Sequence, residues 1–115
     1  MRSCKRINRK EIDRILKHIN TVMPVFSYFI EQYTKINYNK SFWWDVLSKD
    51  FIEAYRILLE YYSYREEEVH FVLYEILKPL LNNNIRLISE VLNSLKNRDY
   101  RRAIEIIRNT TRLYL

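Results

Sequence analysis

Not one of the 115 residues is glycine. Tight hairpin turns and phosphate-cradling loops need positive φ or close backbone approach, and glycine supplies both at least cost. A chain with no glycine and two prolines therefore argues against an all-β fold, a Walker loop and a dinucleotide fingerprint. Helices carry no such restriction. Their C-caps can be closed by asparagine, which tolerates the left-handed conformation better than other residues with a side chain, and the sequence holds ten asparagines. The expected class is all-α.

Helical periodicity and start signals run through the chain. Asn8 and Glu11 form a capping-box pattern ahead of Ile12, Ile15, Leu16, Ile19, Val22, Met23, Phe26, Phe29, Ile30 and Tyr33. Pro24 falls inside that run and predicts a kink or split near Val22–Met23. Ser41 can cap a short helix with Phe42, Trp43, Trp44, Val46 and Leu47; adjacent tryptophans on one helix cannot both face one core. Asp50 with Glu53, and Ser63 with Glu66, offer two more capping boxes. Whether Ser63 opens a new helix or lies inside a longer one stays open at this level. Pro79 and Asn82-Asn83-Asn84 close the middle region. Two further helices carry Ile85 to Leu95 and Tyr100 to Tyr114, joined by the turn Asn97-Arg98-Asp99, with Asp99 as N-cap. So short a connection makes them an antiparallel hairpin. The expected architecture is one domain over residues 1–115, a compact bundle of five to six helices, with residues 1–7 as a mobile basic tail. Ile15, Ile19, Phe26, Leu58, Val72, Ile76, Leu92, Ile104 and Ile107 are its expected core.

The formal charge of +6 favours polyanionic or acidic partners, and it is unevenly spread. Residues 1–20 carry seven basic and two acidic side chains, and residues 85–115 carry seven and three. The stretch between carries six basic and nine acidic, so the basic character belongs to the two ends. In the first helix Lys10, Arg14 and Lys17 project opposite the isoleucine stripe; in the last, Arg101, Arg108 and Arg112 line up, with Arg98 near the same edge. Such rows can track a phosphate backbone or simply face solvent. On the first reading the acidic Glu66 to Glu68 face away from the ligand.

Catalytic signals are few. With two histidines and one cysteine, Cys4, an intrachain disulfide is impossible and a Cys/His zinc site lacks ligands. Glu67-x-x-His70 is half of a di-iron carboxylate pattern, and no second copy exists. No metal or other cofactor is expected. No apolar run approaches the ~20 residues that cross a bilayer, and the basic start has no apolar stretch behind it, so the reading is a soluble, cytoplasmic protein with no membrane partner. Arg65-Glu66-Glu67-Glu68-Val69-His70 fits the R-x4-H spacing and resembles the motif of HEPN ribonucleases, which implies RNA cleavage by Arg65 and His70 across a dimer.

The segment Phe51-Ile52-Glu53-Ala54-Tyr55-Arg56-Ile57-Leu58-Leu59-Glu60-Tyr61-Tyr62-Ser63-Tyr64-Arg65, with the apolar helix that follows to Leu81, resembles the middle of the small subunits of multisubunit CRISPR effector complexes. The resemblance covers roughly residues 50–115. It implies a basic all-α protein that stacks along a complex and contacts guide or target nucleic acid without reading bases, with Arg65 as a contact. The chain departs from it in Tyr64, where one branch often has glycine, and in lacking that branch's basic N-terminal motif. The function expected is therefore a non-catalytic helical protein that holds DNA or RNA backbone through Lys10, Arg14, Lys17, Arg65, Arg98, Arg101, Arg108 and Arg112, or assembles with other subunits or itself on a nucleoprotein complex. A viral or archaeal protein-interaction or structural module is the first alternative, a HEPN-type nuclease the second.

Overall fold

The computed structural model describes residues 7–112, with side chains from Ile7 to Thr110. Residues 1–6, including Cys4, then Tyr114 and the side chains of Thr111 and Arg112, lie outside the described residues. The chain runs α1 (Arg9–Val22), α2 (Pro24–Tyr38), a π-helical segment (Phe42–Leu47), α3 (Phe51–Tyr61), α4 (Glu66–Leu80), α5 (Ile85–Lys96) and α6 (Tyr100–Arg112). No strand occurs among the described residues. It is the all-α bundle that a glycine-free composition predicts.

Side-chain caps set most helix starts. The Asn8 carboxamide accepts from the Glu11 N–H at 2.9 Å, while the Glu11 carboxylate accepts from the Asn8 N–H at 3.0 Å, so the first capping box is complete. Asn84 accepts from Leu87 N–H at 3.1 Å and Asp99 from Arg102 N–H at 3.2 Å. Asp50 accepts from the N–H groups of Ile52 and Glu53, but its own N–H donates to the Val46 carbonyl at 2.9 Å. Glu53 therefore does not close a box and lies 3.6 Å from Arg56 instead. Pro24 splits rather than kinks the first helix: Met23 sits between α1 and α2 at φ −152° and ψ 68°, and the proline takes the first turn of α2, where its missing N–H costs nothing.

The Ser63 box is not formed. Ser63 and Tyr64 both have positive φ, 54° and 64°, whereas an N-cap needs extended backbone. They make a left-handed turn after α3, and α4 opens from Arg65 with no side-chain cap. Residues 50–82 are thus two helices. Asparagine takes the left-handed role elsewhere, at Asn39, Asn82 and Asn83, while Arg98 does so in the last turn.

The core gathers Ile15, Ile19, Phe26, Leu58, Val72, Ile76 and Ile107, all buried. Leu92 and Ile104 sit at its edge, partly buried, with Val91 and Ile106 taking the inward positions. Ile7 corrects the expected tail: it is 3% exposed, and its N–H donates to the Ser48 carbonyl at 2.7 Å. The buried hydroxyls of Thr34 and Ser94 are satisfied by the carbonyls of Ile30 and Glu90 one turn back. Helix packing forms a series in which α1 lies on α4, α4 on α5 and α5 on α6; α2, the π segment and α3 cover the rest of the core.

Candidate functional site

The α1–α4 contact is tied by polar groups as well as by isoleucines. Arg14 donates to the Pro79 carbonyl at 2.6 Å and approaches the Asn82 side chain at 3.5 Å. One turn on, His18 Nε2 lies 2.8 Å from Glu75 Oε1, and Lys78 Nζ lies 3.4 Å from the same oxygen. Rising numbers in α1 meet falling numbers in α4, so the two helices are antiparallel. Lys96 at the end of α5 lines a pocket with Glu66 and Glu67 at the start of α4, so α4 and α5 are antiparallel too. The turn at Asn97–Asp99 reverses the chain again into α6.

These reversals decide where the charge goes. The start of α1 and the C-terminal half of α6 come to the same end of the bundle, beside the Asn82–Asn84 turn, although α4 and α5 stand between the two helices. Lys10, Arg14 and Lys17 share the exposed face of α1, and neither lysine forms an ion pair among the described residues. Both Arg14 bonds use one terminal nitrogen, leaving its other N–H groups for a further acceptor.

The α6 row is less uniform than its spacing promises. Arg101 is exposed and Arg108 half-buried, while the side chain of Arg112 lies outside the described residues. Arg98 and Arg101 begin α6 and therefore lie at the opposite end from Lys10. That end also holds the acidic start of α4: Glu66 and Arg98 both act electrostatically on the Tyr55 hydroxyl, and burial together with Glu66 raises its pKa. Glu66 to Glu68 thus share an end with part of the expected basic site. Arg56, Arg65, Arg86 and Arg102 are each ion-paired to a glutamate.

Arg65 and His70 lie at the start of α4 in different surroundings. Arg65 Nε lies 3.0 Å from Glu68 Oε2. His70 borders a pocket of about 380 Å³ with Glu66, Glu67 and Lys96. Its Nε2 is buried without a hydrogen-bond partner, and burial pushes its pKa below 6.5, with Glu66 opposing and Lys96 adding to the effect. Burial therefore favours the neutral imidazole. Between α2 and α3, Tyr33 and Tyr38 both donate to Glu60 Oε1. That bond pushes the Tyr38 pKa up to about 12, so the phenol keeps its proton and ties α2 to α3. The tie spans residues far apart in sequence and left no local signal.

Sequence periodicity also missed the outer face of α2. Its buried side is Phe26, Ser27, Ile30 and Thr34. The opposite side exposes Val25 (66%), Tyr28 (61%), Phe29 (49%) and Ile36 (80%), an i, i+3, i+4, i+11 series completed by Gln32. The signal was present, since apolar residues at helical spacing on two faces of one helix exceed what one core can take. Val22 extends the patch at 47% exposure. Next to it, Met23, Tyr62, Phe71 and Val72 line an apolar groove of about 290 Å³ with Glu67 and Glu68 at its rim. Trp43 is buried and sends its indole N–H toward the Ser27 carbonyl at 3.4 Å, while Trp44 faces outward beneath Arg9 at 5.1 Å.

No group of three or more metal-ligating side chains occurs among the described residues, and no helix there is long and apolar enough to cross a membrane. Comparison with family models, curated proteins and solved structures gives no match.

Proposed function

We propose that this bundle is a non-catalytic module that holds nucleic-acid backbone on the face of α1 carrying Lys10, Arg14 and Lys17. The observation that supports the reading is that Lys10, Arg14 and Lys17 share one exposed face of α1, with neither lysine ion-paired among the described residues. Lys10 and Lys17 stand about 10 Å apart at 1.5 Å per residue, with the Arg14 guanidinium fixed between them by Pro79. A pre-positioned guanidinium between two mobile ammonium groups suits repeated phosphates and supplies no base readout. The small-subunit resemblance over residues 50–115 is compatible with this reading, since those subunits also hold strands without reading bases. Arg98 and Arg101 contribute less, because the glutamates at their end repel phosphate.

The test is a gel-shift series across salt with duplex DNA and single-stranded RNA. Affinity should fall steeply with salt and vary little with sequence. Replacing Lys10 and Lys17 together by glutamine should reduce the log–log salt slope by about 1.8 on duplex DNA, whereas Arg98→Gln with Arg101→Gln should change it by under about 1. A wild type that binds neither probe at ~50 mM salt, where nonspecific electrostatic binders are visible, overturns the reading. A second reading, a protein-interaction module, is favoured by the exposed apolar face of α2.

A further inference from the structure

We propose that the outer face of α2 is a self-association surface on which a second copy of this chain docks, α2 antiparallel to α2 about a twofold axis. The face extends from Val25 to Ile36, about 17 Å at 1.5 Å per residue. Its apolar side chains, with Val22, expose roughly 600 Å² per copy, taking ~200 Å² for a fully exposed large side chain. That lies at the upper end of what monomers carry, and two copies that cover it fully bury about 1,200 Å² together, the lower edge of specific interfaces.

Charge leaves this a face on which a second copy can approach. At a net +6 two copies repel over most approaches. The only charged residues of α2 are Glu31 and Lys35, 3.8 Å from each other, so this face brings no like charges together. Glu31 is further tied down by the N–H of Phe42 at 2.9 Å. An isologous pairing needs a patch that complements itself. The stripe meets that need, because its small end at Val25 falls opposite the long Ile36 of the second copy, and Phe29 falls opposite Gln32. The dimer carries two α1 rows on one particle.

The experiment is sedimentation equilibrium of the full chain over ~1–100 µM, for wild type, Val25→Lys, Ile36→Glu and an equimolar mixture of the two variants. Wild type should be a monomer–dimer equilibrium. Each variant alone should weaken it at least about 100-fold, because the twofold buries two unpaired charges. The mixture should re-form a dimer, since lysine at 25 on one chain meets glutamate at 36 on the other while the remaining Val25–Ile36 contact stays native. Both positions are highly exposed, and unchanged helical circular dichroism verifies that each variant folds. A monomeric wild type at every concentration overturns the proposal and leaves the stripe to a different protein. Dimers that survive both variants place the interface elsewhere, and variants that stay monomeric when mixed refute the antiparallel register. A monomer that still shifts nucleic acid with a steep salt slope leaves the α1 reading intact.

Discussion

Arg14 of α1 donates to the backbone carbonyl of Pro79, 65 residues away in sequence, at 2.6 Å. The last carbonyls of a helix have no intrahelical partner. In α4 the Leu77 carbonyl accepts from Leu81 and the Lys78 carbonyl from Asn83. The Pro79 carbonyl is served by α1. A side chain read as free basic surface is therefore also the C-cap of another helix.

Replacing Arg14 by alanine should lower stability by about 1 kcal/mol, the net worth of one such bond at an exposed site, and the melting temperature by about 4 °C. Lys10→Gln and Lys17→Gln should leave it unchanged within about 0.5 kcal/mol. Thermal unfolding followed by circular dichroism makes the comparison. Equal melting temperatures for Arg14→Ala and wild type would show that water caps Pro79 equally well.

Tyr64 adopts φ 64° with its ring largely exposed. A left-handed residue with a Cβ costs roughly 1–2 kcal/mol, while glycine loses about 0.5–1 kcal/mol of extra chain entropy. Tyr64→Gly should accordingly stabilise the bundle by about 0.5–1 kcal/mol, and Asn83→Gly by less, since asparagine already tolerates φ 60°. Urea unfolding midpoints rank the two; a destabilised Tyr64→Gly would mean the ring contributes packing that its exposure conceals.

Stability should decline on mild acidification through His70. Burial lowers its folded pKa below 6.5, against the opposing pull of Glu66 and with help from Lys96. As pH falls the unfolded chain takes up the proton first, so the contribution of the neutral imidazole is complete above about 6.5 and is lost as pH drops through the folded value. His70→Gln should flatten the difference in melting temperature between ~pH 7.5 and ~pH 5. An unaltered difference in that variant would locate the acid sensitivity elsewhere.

Local chemistry was legible in the sequence wherever one side chain decides one backbone feature. Asn8, Ser41, Asp50 and Asp99 cap the helices their spacing announces, and Pro24 divides α1 from α2. Ser63 failed because two successive residues took left-handed φ without glycine or asparagine to mark them. Long-range placement was hidden for a different reason. The direction in which each helix packs determines that Lys10 and Arg101 part company and that Glu66 joins Arg98, and no periodicity records direction. The outer face of α2 was misjudged because Phe29 and Val22 have the spacing of a core yet are half-exposed.

The pairing of α1 with α4 has a consequence for how the chain is made. Synthesis proceeds from the N-terminus, so the isoleucine face of α1 leaves the ribosome long before Leu73, Ile76 and Leu77 of α4 exist to cover it. Contacts of such large sequence separation form late, and exposed apolar surface invites aggregation while it waits. The α5–α6 hairpin, closed by three residues, has its partner at once. The nascent chain is most vulnerable between the emergence of Val22 and that of Leu80, the interval in which a chaperone has most to hold.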